Sequence, residues 1–124
     1  MLSTGSPIQN RIGNVFVPVS DMPRAVAWYS RLFGLEEGQT SHEGGIYDVP
    51  MAGETRLILD ANKPITEHSA QPLCLFLTND IAASIDWLRE LGVEIAGEPQ
   101  DIGSVIFATF NDPDGNPLMV CQRK

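Results

Sequence analysis

Cysteine, histidine and basic side chains are all scarce in this chain. Its 124 residues include 2 Cys and 2 His, and 8 Lys and Arg stand against 16 Asp and Glu, for a formal charge of −8. Two cysteines cannot make a disulfide-dense scaffold. Cys74 and Cys121 each sit in an apolar, strand-like run, so buried reduced thiols are expected. A metal site built on His42 and His68 would need help from Glu43 and Glu67, because His68 falls in a polar stretch and His42 beside glycines. The acidic balance argues against a nucleic-acid or anionic-lipid surface. No run approaches the ~20 apolar residues of a spanning helix. Met1 to Pro7 has neither a basic start nor an apolar core, so no secretory leader is expected, and the expected location is cytoplasmic. The chain also lacks a nucleophile elbow, a P-loop and a dinucleotide-binding glycine pattern.

What remains is an ordinary globular composition, 43% hydrophobic, enough for one core. The chain nearly repeats itself. Val15-Phe16-Val17-Pro18-Val19-Ser20-Asp21 leads into a helical pattern through Trp28-Tyr29 to Leu32-Phe33-Gly34-Leu35. Cys74 to Asp80 leads in the same way through Trp87-Leu88 to Leu91-Gly92-Val93. Asp21 and Asp80, like Trp28 and Trp87, are 59 positions apart.

Residues 1–10 read as a flexible arm. Residues 11–124 read as one domain of two repeats, about 11–60 and 72–122, joined by the polar, proline-bearing linker 61–71. Arg11 to Ser20 alternates as a strand, and Pro18 belongs at its end or on a sheet edge because it has no N–H for a ladder. Asp21 and Asp80 are placed as helix N-caps and Gly34 as a C-cap. Strands are expected at 46–51 and 54–60 in the first half, then at 72–78, 93–98, 102–110 and 118–122, with Asp114-Gly115 as a turn dipeptide. The order is β-α-β-β-β, twice. Asp112, Asp114 and Asn116 alternate superficially like a calcium loop, but the downstream bidentate glutamate is absent and a plain turn is expected.

These two motifs, together with Phe110-Asn111-Asp112-Pro113-Asp114-Gly115-Asn116, resemble the vicinal-oxygen-chelate superfamily over residues 11–122. That superfamily includes glyoxalase I, extradiol ring-cleaving dioxygenases, fosfomycin-resistance transferases and bleomycin-resistance proteins. The resemblance implies an α+β fold: two βαβββ modules pairing curved mixed sheets around a cleft, with the helices outside. Many members complete that cleft across a dimer. Enzymes of the superfamily hold a divalent metal on cleft-facing strands. The matching positions here are Asn14, Leu73 and Met119, and more loosely Ile58. None is a histidine or carboxylate, so no metal or other cofactor is expected.

Strand parity outlines the rest of the cleft. Phe16, Leu75, Leu77 and Cys121 should line it beside those four, with Phe107 and Tyr47 as wall or rim. Arg56 shares a face with Ile58 and could clamp a ligand carboxylate or phosphate. Three functions remain open. The first is a metal-free protein binding a small, partly apolar organic molecule. The second is a metal-dependent lyase, isomerase or dioxygenase with an atypical site, drawing on Asn14 with Glu43 or Glu54 or on partner residues. The third is a dimeric interaction module with a filled cleft. A small-molecule ligand and a homodimer are the expected partners, with no nucleic acid and no membrane.

Overall fold

The computed structural model describes residues 5–124. The part of the N-terminal arm at positions 1–4 lies outside the described residues. Two aspartates start the two helices by the same chemistry. Asp21 has extended backbone (φ −138°, ψ 98°), and its carboxylate accepts from the Arg24 N–H, opening helix α1, Met22–Phe33. Asp80 (φ −148°, ψ 95°) accepts from the Ala83 N–H and opens α2, Ile81–Glu90. Each carboxylate satisfies a donor that has no partner inside the helix. Gly34 ends α1 in the left-handed region at φ 66°, where a Cβ would be strained.

Strand β1 is Asn14–Pro18 and ends at the proline; β2 is Ile46–Val49 and β3 is Arg56–Asp60. They form a sheet in the order β1-β3-β2, with β1 parallel and β2 antiparallel to β3. The second sheet runs β4-β7-β6-β5, where β4 is Leu75–Leu77, β5 is Gln100–Asp101, β6 is Val105–Asn111 and β7 is Pro117–Arg123. Strand β4 is parallel to β7, and the other pairs are antiparallel. The fold is therefore α+β, with two helices and two curved mixed sheets.

The first sheet is one strand smaller than the β-α-β-β-β order predicts, and the second keeps four strands with one of them displaced. The first has three strands, because residues 35–45 make only one bridge, Ser41 to Ile46. His42 (φ 52°) and Glu43 (φ 58°) turn the chain there through left-handed backbone, which a strand cannot follow. In the second half, the expected strand 93–98 reduces to a bridge between Ile95 and Phe110, and the two-residue β5 takes the edge instead.

Helix α1 lies on β2 and β3, and α2 lies on β6 and β7. The sheet residues facing the helices make one core with them: Val17, Leu59, Tyr47 and Val49 from the first sheet, Phe110, Leu118 and Val120 from the second. A buried polar clasp ties the two sheets together. Tyr29 O–H on α1 donates to Asp112 Oδ2 at 2.7 Å, and Asn116 Nδ2 donates to the Pro18 carbonyl at 2.8 Å. Burial and the adjacent Asp112 carboxylate push the Tyr29 hydroxyl far above the usual tyrosine range, so it stays a neutral donor. Cys74 and Cys121 are unpaired. Burial pushes the Cys74 thiol up to about 11, so it remains protonated at neutral pH.

Candidate functional site

Alternation gives each sheet a second face, turned away from the helices. On the first sheet the register forms three cross-strand rows: Asn14 beside Arg56, Phe16 beside Ile58 and Asp48, and Pro18 beside Asp60 and Ile46. On the second sheet the rows are Leu75–Met119–Thr109 and Leu77–Cys121–Phe107. Asn14, Phe16, Arg56 and Ile58 thus share one face, and Leu75, Met119, Cys121 and Phe107 share the other. Large apolar groups are left in water on both: Phe16 is 59% exposed, Leu75 43% and Leu77 60%. A folded chain seldom leaves such side chains grouped on two sheet faces without covering them.

Two expected lining residues are placed elsewhere. Tyr47 belongs to the helix-facing side of β2 with Val49; it is buried under α1, and its hydroxyl accepts from Gly38 N–H at 2.9 Å. The alternation that exposes Asp48 turns Tyr47 inward. Leu73 precedes β4 and is half-buried against the core, although its N–H extends the ladder to the Pro117 carbonyl at 2.8 Å.

Arg56 is not a free cation. Its Nη2 pairs with Asp48 Oδ2 across the face, and both side chains are substantially exposed, at 58% and 40%. Nothing in the sequence pattern marks Asp48 as its partner beyond parity. Pairing makes Arg56 a poor anchor for an anionic ligand, since Asp48 would repel the same anion. Because the pair is wet, Arg56→Ala should cost at most about 1 kcal/mol in chemical denaturation.

The donor chemistry of these faces does not fit a divalent ion. Of the four positions matched to metal ligands, Ile58 and Leu73 have no donor, Met119 has a soft thioether and Asn14 a neutral amide. Among the described residues no group of three or more His, Cys, Asp and Glu side chains could surround one ion. His42 bonds to its neighbour Ser41 Oγ, and His68 Nε2 lies 2.6 Å from the Asp114 carbonyl oxygen. No helix among the described residues is long and apolar enough to cross a membrane.

Residues 11–120 match the family model of the Glyoxalase/Bleomycin resistance protein/Dioxygenase superfamily. TnmS3, an antibiotic binding protein from Streptomyces sp. CB03234, superposes with a TM-score of 0.75 at 28% identity, covering 96% of this chain and 99% of that one. A glyoxalase / bleomycin resistance protein from Catenulispora acidiphila DSM 44928 gives a TM-score of 0.69 at 25% identity over 90% of this chain and 96% of its own. The uncharacterized protein YetH of Bacillus subtilis (strain 168) is 28% identical over 116 residues, which is 89% of this chain and 96% of YetH.

Proposed function

The chain belongs to the Glyoxalase/Bleomycin resistance protein/Dioxygenase superfamily, and from that premise we propose that it binds a small, partly apolar organic molecule without a metal ion, in a cleft that two copies of the chain complete. The observation that carries this reading is the makeup of the two open faces. They keep the framework positions of the superfamily, yet Asn14, Ile58 and Met119 stand where ion-binding donors would be needed. Phe16, Leu75, Leu77 and Phe107 add a largely apolar lining with a few polar points at Asn14, Thr109 and the Arg56–Asp48 pair. That balance suits organic ligands, whose apolar area supplies affinity while sparse polar groups fix orientation. The likeness to an antibiotic binding protein supports the same class of ligand.

Phe16, Leu75 and Leu77 are wet in the single chain, whereas Ile58 and Cys121 on the same faces are already buried, so a ligand lying against the exposed residues would be covered on one side only. Setting the first face of one copy against the second face of another encloses it and covers the exposed leucines and Phe16. The reading keeps the protein in the cytoplasm, where the two unpaired cysteines stay thiols.

Thermal-shift screening against a panel of uncharged and cationic aromatic compounds tests it. Occupancy at about 100 times Kd should add about 2.7 kcal/mol of apparent stability. A panel that leaves the melting temperature unmoved would overturn the reading. Elemental analysis of purified protein should find less than about 0.1 equivalent of zinc, nickel, manganese or iron, far below the full occupancy a built divalent site retains.

A further inference from the structure

A groove of about 300 Å³ opens on the helix side of the second sheet, between the end of α1 and the side of α2 that carries Ala83, Ser84 and Trp87, at the small end of the range for ligand sites. We propose that it is a separate site for a compact aromatic amine, an aryl group carrying an alkylammonium. It is set apart from the open faces by its walls: Phe33 of α1, Phe76 of β4, and Ala83, Ser84 and Trp87 of α2. Only Leu77, at its rim, also belongs to an open face.

The aromatic walls are held in place. Phe33 and Phe76 meet edge to face with centroids 5.0 Å apart. Trp87 Nε1–H donates to the Leu32 carbonyl at 2.9 Å, which fixes the indole and uses its only donor. The Ser84 hydroxyl is also engaged, 2.7 Å from Thr78 Oγ1 and 2.8 Å from the Asp80 carbonyl. An apolar, π-rich slot is what these groups leave for a ligand.

Asp80 supplies the polar point. Its Oδ1 caps α2, while its Oδ2 has no protein partner among the described residues. The described residues lining the groove include this carboxylate and no basic side chain. The start of α2 carries about half a positive unit charge, smaller than the full charge of the carboxylate, and so the groove favours a cation. An ammonium beside Asp80 on a short alkyl arm sets its aryl group among the three aromatic walls. The face of Trp87 also attracts a cation directly.

The test is a titration of the full chain, followed by ¹H–¹⁵N spectra, with 2-phenylethylammonium and with 3-phenylpropionate, an anion of similar size. The cation should give saturable shifts of the Trp87 indole N–H and the Ala83 and Ser84 amides within about 10 mM, and the anion should bind at least about fivefold more weakly. Ala83→Trp, at an exposed position on the groove wall, should abolish the shifts. Asp80→Asn should weaken binding about fivefold without lowering the melting temperature, because asparagine caps a helix as well as aspartate does. Equal binding of cation and anion, an unchanged titration in either variant, shifts centred on Phe16 and Leu75, or no saturable shift at the groove would each overturn the proposal.

Discussion

Replacing Asp112 by alanine is expected to remove about 3–5 kcal/mol of folding stability, a large loss for a single polar residue. The carboxylate is 5% exposed and accepts four hydrogen bonds. Oδ1 receives the Asp114 and Asn116 backbone N–H groups, each at 2.9 Å. Oδ2 receives the Tyr29 hydroxyl at 2.7 Å and Asn116 Nδ2 at 2.9 Å. Alanine would strand these donors in a dry site, and an unmet buried donor costs about 1–3 kcal/mol. Relaxation and entry of water keep the total below the simple sum. Tyr29→Phe removes one donor rather than the shared acceptor, so its cost should be smaller, about 1.5–3 kcal/mol. Urea denaturation of the three proteins gives the comparison directly. If Asp112→Ala is no less stable than Tyr29→Phe, the clasp does not depend on the carboxylate.

That clasp shows where reading the sequence stops. Residue types alone make Asn111 to Asn116 a turn, and it is one. What they hide is that Asp112 turns inward to a tyrosine 83 positions earlier. Long-range partners of this kind leave no local pattern. The helices were legible because their signals are local: an aspartate and an apolar stripe, repeated 59 positions apart, each followed by a glycine within two residues of the helix's end. The open faces followed from parity at Asn14, Phe16, Arg56, Ile58, Leu75 and Met119. Tyr47, expected at the wall or rim of the cleft, has the opposite parity: Ile46 and Asp48 take the open face, and Tyr47 and Val49 take the helix side. The turn at residues 41–45 had no such signal, since His42 and Glu43 adopt left-handed backbone that their residue types do not advertise. The groove beside Trp87 was also invisible. Its walls come from α1, β4 and α2, whose proximity is a property of packing rather than of any segment.

The second large effect concerns the two open faces. Phe16→Glu and Leu77→Glu are each expected to weaken self-association by about 10²–10⁴-fold. Covering one Phe or Leu side chain contributes about 1.5–3 kcal/mol, and a two-fold symmetric pair of chains counts each substituted residue twice. A doubled loss of about 3–6 kcal/mol corresponds to that factor before any cost of burying a carboxylate is added. The folded chain itself should be nearly unaffected. Both side chains point away from the core and are more than half exposed, so their thermal transitions should stay close to that of the parent once association is taken into account. Sedimentation equilibrium separates the 13.5 kDa chain from its dimer without ambiguity. Parent and variants that all sediment as dimers of equal affinity would show that these faces do not meet. The ligand then gives a second readout of the same geometry. If the cleft is completed by the partner copy, a variant that no longer associates must also lose the thermal stabilisation that a cleft ligand confers on the parent. A variant that is monomeric yet fully stabilised would place the ligand on one chain alone, and a dimer that no compound stabilises would mean that these faces bind each other and nothing else.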